Sequence, residues 1–402
     1  MATEDTNRVI VAGAGPVGTV CALALARAGI PVTLLEAEPN VVMDLRAATF
    51  HASTLDLLDE LDVSRHLVDM GLITPVWQFR DRQTGKAVAQ FDFALIKDET
   101  NHPYRLQCEQ FKLTGLLAQW FATMDLVTLR FSSPVTGVRQ DADGVSALVR
   151  RPDGSEEEVR GRYLIAGDGA SSAVRRSLGL GFTGETYPEM FVQIGTTFDF
   201  AAQMPDLASV SYCSDPVEWV SMIRVRDLWR LVFPSRPGET DAEAVAPAAV
   251  EARLQGFMPR AEKYDVAYAG TYRVHQRVAE KFRVERVFLA GDAAHLNNPL
   301  GGMGMNSGIQ DGVNLCRKLI AVWGGADDAL LDRYERQRQP AAVNSVQASA
   351  ARNRRILNET DEAARKAQLD ELTRTAADPE LAKAFLRRAA MIESWRASEA
   401  TP

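Results

Sequence analysis

The sequence predicts an α/β fold, with a Rossmann-like nucleotide-binding domain interrupted by a mostly antiparallel sheet and followed by helices. Three stretches carry that prediction. Residues 8–36 read as strand, GxGxxG turn, helix, strand and acid, in that order. Residues 162–179, RYLIAGDGASSAVRRSLG, read as a buried strand, a tight turn and a helix. Residues 286–306, RVFLAGDAAHLNNPLGGMGMN, repeat that pattern with a longer glycine-rich loop.

Composition bounds the answer. A chain of 402 residues exceeds one small core and suits two or three domains. With 46% hydrophobic and 24% charged residues it reads as globular, not disordered. A net charge of −8 argues against nonspecific binding to nucleic acid or an anionic membrane. A polar leader precedes the first strand pattern at Arg8, so no secretory signal is expected. No apolar run reaches the ~18 to 20 residues that span a bilayer. Cys21, Cys108, Cys213 and Cys316 lie far apart, with no CxxC, and read as reduced, mostly buried thiols of a cytoplasmic protein. The five histidines show no metal-ligand spacing, so no metal is expected.

In chain order, Arg8 to Ala12 is a strand and Gly13-Ala14-Gly15-Pro16-Val17-Gly18 the turn after it. The next helix carries Val20, Leu23 and Ala24, and Gly29 and Pro31 stop it. Glu36 ends the second strand, placed to take both hydroxyls of an adenosine ribose. The glycines permit the tight turn, approach of a pyrophosphate and helix-on-strand packing. Taken alone, this unit does not separate FAD from NAD. Arg46 is either a phosphate or flavin contact or a solvated arginine. A short helix follows from Thr54, and His51 and His66 read as surface or packing residues.

Trp77 to Phe93 alternates about a Thr84-Gly85 turn, which predicts a hairpin leaving the nucleotide domain. Glu109 to Met124 is a helix, and Gly137 to Val159 forms turns at Asp143-Gly144 and Asp153-Gly154. In the second strand–turn–helix stretch, Ser171 or Ser172 caps a helix bearing Arg175 and Arg176. Residues 181–278 change character. Strand-like runs (Met190 to Phe198, Val217 to Val225, Trp229 to Phe233, Tyr264 to Val274) flank one amphipathic helix, Pro247 to Phe257. The nucleotide domain is therefore expected at 1–75, 104–180 and 279–330. The substrate sheet is expected at 76–103 and 181–278, and a helical region at 331–402. Arginines of the Leu330 to Asn353 helix read as a solvated face.

The third stretch points to the ligand. Its loop brings bare backbone and one carboxylate to a helix expected to start near Asn306. Free amides and the helix dipole there favour negative charge. FAD is the hypothesis: Asp292 accepts from a ribityl hydroxyl, and the amides of Gly304, Met305 and Asn306 face the pyrimidine end of the flavin.

GAGPVG with Glu36, YLIAGDGASSAVRRSLG and RVFLAGDAAHLNNPLGGMGMN stand in one order and spacing. The chain resembles the single-component FAD-dependent aromatic hydroxylases, the para-hydroxybenzoate hydroxylase-like flavoprotein monooxygenases, over roughly residues 7–345. That resemblance implies a nucleotide domain of the glutathione-reductase type. It implies FAD contacts at Gly13, Gly15, Pro16, Val17, Gly18, Glu36, Arg46, Gln107 and Asp292. Pro299 would lie near the reactive carbon, and Gly302, Gly304, Met305 and Asn306 would line the isoalloxazine. Asp168, Gly169 and Arg175 would serve FAD and a transient nicotinamide cofactor. NADH or NADPH and O2 are the implied co-substrates, acting through a flavin hydroperoxide. The implied substrate is a small phenolic or heteroaromatic acid. Tyr212, four residues before Pro216, matches the spacing of the family's phenol-contacting tyrosine. Arg224 and Arg230 are candidate carboxylate anchors, and Tyr272 and His275 weaker candidates. His295 reads as structural. Alternatives are an epoxidase or quinone-pathway hydroxylase of the same fold, or a non-catalytic FAD-binding protein. A halogenase lacks support because WxWxIP is absent. A homodimer is compatible with the C-terminal helices.

Overall fold

The computed structural model describes residues 6–402, except positions 44 and 46 and the side chains at 188 and 189. The expectation for Arg46 therefore lies outside the described residues. A six-stranded sheet forms the nucleotide half. Its order is Arg283–Val284, Val287–Leu289, Tyr163–Ala166, Val9–Ala12, Val32–Leu35 and Val127–Arg130. All neighbours run parallel except the Arg283–Val284 and Val287–Leu289 pair. The strands Val9–Ala12, Val32–Leu35 and Tyr163–Ala166 are buried along their whole length, as a sheet covered on both faces requires. The Pro16–Arg27 helix packs on it, and the Gly304–Trp323 helix packs on that helix.

An eight-stranded, mostly antiparallel sheet forms the other half. Its central strands are Phe182–Thr196, Trp229–Pro234, Val220–Arg224 and Val210–Ser214. The hairpin Val76–Asp81 and Ala87–Asp92 extends it, joined by parallel pairing of Val210–Ser214 with Val76–Asp81. Strand alternation gives this sheet two faces. Val192, Ile194, Met222 and Leu231 share a core with Val250 and Leu254 of the Pro247–Phe257 helix. Tyr212, Val232 and Val274 share the opposite core with Trp77, Phe79 and Leu300.

Several elements differ from the sequence reading. Val210–Ser214 is a full strand outside the runs read from the sequence, and Tyr212 sits at its centre. The glycine-loop helix begins at Gly304, two residues earlier than expected. The C-terminal helix runs on through a π-turn at Ala342–Gln347 to Asn358. Its arginines are not all solvated, because Arg338 is buried against Asp311. The remaining helices, from Glu362 to Ala400, back the hairpin: Phe385 stacks on Phe91 with ring centroids 4.0 Å apart. All four cysteines are buried and unpaired. Among the described residues, no helix is long and apolar enough to cross a membrane.

Asp311 ties three elements together. Its Oδ2 accepts from the Gly291 N–H at 3.1 Å and bonds the His295 ring at 2.8 Å, while Oδ1 accepts from Arg338 Nε at 2.7 Å. Burial opposes ionisation, but Arg338 and His295 outweigh it and hold the carboxyl below its ordinary value of 3.8. Its stabilisation is thus complete above the unfolded value and is lost as pH falls through the lower folded one. Asp311→Asn is expected to destabilise by roughly 3 to 5 kcal/mol at neutral pH, because Arg338 keeps its burial and loses its counter-charge. Thermal unfolding followed across pH checks this. The gap to wild type should narrow on acidification below the ordinary carboxylate range, and a gap that widens would refute the linkage.

Candidate active site

A cavity of about 850 Å³ runs between the two halves. At one end Gly13, Gly15, Pro16 and Val17 line it, with Glu36 beside them. At the other end lie Val210, Tyr212, Ile223 and Val232 of the antiparallel sheet. Gly301, Gly302, Gly304 and Met305 form the wall between.

The turn shows why glycine is needed. Gly13 has φ +92°, and a Cβ there would strike the Gly167 carbonyl. A Cβ at Gly18 would strike the Gly13 carbonyl, so Gly18 closes the turn onto its helix and does not line the cavity. A Cβ at Gly15 would meet nothing within 4 Å, leaving the turn open on its cavity side. Neither the Pro16–Arg27 nor the Gly304–Trp323 helix has a side-chain cap. Their first-turn amides are left for an anionic or electron-rich ligand. These features fit a dinucleotide carrying a flat, reducible ring system.

Carboxylates are spaced along the cavity. Glu36 accepts from the Ala14 N–H at 2.7 Å and the Glu38 N–H at 2.9 Å, which fixes it at the adenosine end. Asp168 lines the wall with Gly169. Its Oδ2 accepts from the Val174 N–H at 3.2 Å, and its Oδ1 is buried without a partner. Burial raises its pKa against the opposing hydrogen bonds from Ser172 and Val174. Asp292 and Pro299 are exposed to the cavity.

Other candidates act behind the wall. Asn306 Nδ2 donates to the Thr49 and Gly302 carbonyls at 2.8 and 2.7 Å, and its Oδ1 accepts from the His51 N–H at 2.8 Å. It clamps the glycine loop to the Thr49–Phe50 strand. Gln107 accepts from the Thr49 hydroxyl at 2.8 Å and is fully buried. Arg175 donates to the Ala293 and Ala170 carbonyls, both at 2.8 Å, and covers the Phe182 ring. It joins two turns of the nucleotide half and does not reach the cavity. His295 is buried on Asp311, a structural position as read from the sequence.

On the sheet, alternation separates the two candidate arginines. Arg230 shares a face with Val232 and Tyr212 and lines the cavity. Its Nε donates to the Tyr268 hydroxyl at 2.9 Å, and its Nη2 donates to the Leu45 carbonyl. Arg224, one residue after Ile223, points to the opposite face beside Trp229 and Asp199. It does not line the cavity. The Tyr212 hydroxyl oxygen accepts from the Gly301 N–H at 2.7 Å, which leaves its own proton to donate, with the Ser221 hydroxyl beside it. Burial raises its pKa, more than Arg105 lowers it. Tyr272, His275, Ser221 and Gln193 also line the cavity. Arg105 lines it too, and no pattern in the sequence marked it. Outside the cavity, Asp56, Asp59 and His102 bring potential ligand atoms within 4.8 Å of one another. His102 is already engaged there by Asp59 and Tyr104, each at 2.8 Å.

Comparison with known proteins agrees with this geometry. The family described as FAD binding domain matches residues 6–349. The chain is 34% identical over 367 residues to para-nitrophenol 4-monooxygenase of Pseudomonas sp. (strain WBC-3), covering 90% of each. It is 33% identical over 364 residues to 6-hydroxy-3-succinoylpyridine 3-monooxygenase of Pseudomonas putida (strain DSM 28022 / S16), covering 87% of this chain and 89% of that one. Its structure is similar to p-nitrophenol 4-monooxygenase from Pseudomonas putida DLL-E4, with TM-score 0.91, 30% identity and coverage of 97% and 98%. The chain belongs to the FAD-dependent aromatic hydroxylases, the para-hydroxybenzoate hydroxylase-like flavoprotein monooxygenases.

Proposed function

We propose that this protein hydroxylates a small phenol or hydroxylated heteroaromatic ring, using NADH or NADPH and O2. The observation that carries this reading is the continuity of one cavity. It joins the GxGxxG turn to an apolar sheet face through the Pro299–Gly302 loop. All three relatives named above act, by their names, on a hydroxylated six-membered ring.

Bound FAD supplies the redox and oxygen-activating chemistry. Gly13, Gly15, Pro16 and Val17 would hold its pyrophosphate, and Glu36 its adenosine ribose. Arg46 is assigned to the same cofactor by resemblance. Asp292 would accept from the ribityl chain, with Asp168 and Gly169 nearby on the cavity wall. Gly302, Gly304 and Met305 would lie along the flavin ring, held in place by Asn306 and Gln107 from behind. The role of the remaining residues is to orient and to exclude water. Val210, Ile223, Val232, Val274 and Leu300 form an apolar wall for an aromatic ring. Tyr212 would donate to the substrate hydroxyl oxygen, since Gly301 already occupies its acceptor side. Arg230 is partly spent on Leu45 and Tyr268 and would support the wall more than anchor a carboxylate.

The reading is tested by oxidation of NADH and NADPH by the purified flavoprotein in air, with a panel of phenols and hydroxypyridines, with and without carboxylates. One compound that accelerates oxidation and yields hydroxylated product with little peroxide supports it. A flat response across the panel removes it. Asp292→Ala is expected to weaken FAD retention by about 1 to 3 kcal/mol, through loss of an acceptor for a ribityl hydroxyl. Flavin dialysis measures this, and unchanged affinity would end that role. Tyr212→Phe is expected to keep FAD bound while product formed per NAD(P)H falls roughly tenfold. Unchanged coupling would leave Tyr212 as a packing residue.

A further inference from the structure

Arg105 is 1% exposed and lies on the short Arg105–Gln107 strand, opposite Thr74. Its guanidinium stacks over Trp77, 4.0 Å from the ring centroid, with Phe93 at 5.7 Å. The residue lines the cavity. Nε and Nη2 have no hydrogen-bond partner.

Other deeply buried arginines show what is missing. Arg338 faces Asp311 at 2.7 Å, Arg80 faces Asp206 at 3.2 Å, and Arg253 pairs with Glu239. Arg105 faces no carboxylate among the described residues. The titratable groups that interact with it are Tyr212 and His51. Burial raises the pKa of Tyr212, and burial together with Arg105 lowers that of His51 to about 3. Both are neutral at pH 7, so neither supplies a counter-charge. Burial lowers Arg105 itself only to about 10, so it stays charged. A desolvated guanidinium with free donors is costly unless an anion completes it. The fork of donors suits an oxygen anion on a flat ligand.

We propose that Arg105 binds the oxyanion of the aromatic substrate, with the Tyr212 hydroxyl as a second donor. This rests on the hydroxylase reading for the identity of the ligand. A phenol held there is held as its phenolate, the form richest in electrons at the ring carbons. A ring carboxylate offers the same chemistry, and the experiment separates the two.

Oxidised holoenzyme is titrated with 4-nitrophenol, benzoate and 4-nitroanisole. Binding is read from the flavin spectrum, and ionisation of bound 4-nitrophenol from its own absorbance across pH. The expected result is tight binding of 4-nitrophenol as phenolate, with its pKa lowered by about one unit or more. Arg105→Met should abolish that shift and weaken phenolate binding roughly tenfold or more, while Arg105→Lys restores part of it. Neutral 4-nitroanisole should bind weakly and respond little to either variant. Arg105-dependent binding of benzoate instead would assign the oxyanion as a carboxylate and support the proposal. Variants are compared per bound flavin. If Arg105→Met does not fold, Arg105→Lys and the wild-type contrast between 4-nitrophenol and 4-nitroanisole decide. Three binding results overturn the proposal: no oxyanion probe binds wild type, the variants bind these probes as wild type does, or 4-nitroanisole loses as much as 4-nitrophenol. Product analysis judges the hydroxylase reading separately. Arg105-dependent anion binding with no hydroxylated product from any ring compound would sink that reading alone. Hydroxylation that is unchanged in Arg105→Met would sink the Arg105 assignment alone.

Discussion

A single buried carboxylate holds the cofactor side of the cavity in shape. Asp311 receives the Gly291 N–H, the His295 ring and Arg338 of the C-terminal helix. The glycine-rich loop that follows cannot hold itself. It has few side chains to pack, and its backbone groups must remain available along the cavity. A charge pair with hydrogen bonds on both oxygens supplies the rigidity from behind. Asn306 adds a second tie one helical turn into the wall, joining Gly302 to Thr49 and His51. The C-terminal helices are thereby part of the site's foundation, through Arg338, and they back the substrate sheet's core through Phe385 and Leu357.

The antiparallel sheet contributes by alternation. The central strands send one set of side chains to the core of the Pro247–Phe257 helix and the other to the cavity face. Polar groups on the cavity face are mostly spent among themselves. Gln193 and Arg230 both reach the Tyr268 hydroxyl and the Leu45 carbonyl. This links the segment after Glu36 to the substrate sheet, so the two halves share one wall. Arg105 stands apart because aromatic rings support its guanidinium while Nε and Nη2 lack partners and no carboxylate among the described residues pairs with it. Where most polar groups are satisfied, the unsatisfied ones indicate what a ligand must bring.

Much of this was legible in the chain itself. The GxGxxG unit, the two later strand–turn–helix stretches and the Pro247–Phe257 helix follow from local periodicity and turn chemistry. The cofactor class followed from the order of those stretches. The strand Val210–Ser214 was not legible, since besides its neighbour Val220–Arg224 it pairs in parallel with Val76–Asp81, far away in sequence. The burial of Arg338 was not legible either, because an arginine in an alanine-rich helix looks the same whether it meets water or Asp311.

The sequence by itself determined the elements and the glycine turns, because hydrogen bonding within a helix or turn and the 3.6- and 2-residue periods are local properties, and its three motifs carried the resemblance to the family. Tertiary structure decided which charged side chains face the cavity. Arg224 and Arg230 have equal claims in the chain and opposite fates on the sheet, fixed by the register of Ile223 on Arg230. Arg105 had no claim in the chain at all. Its role arises where Trp77, Phe93 and Tyr212 meet the Gly301 loop, and only packing between distant segments creates that dry, cationic corner.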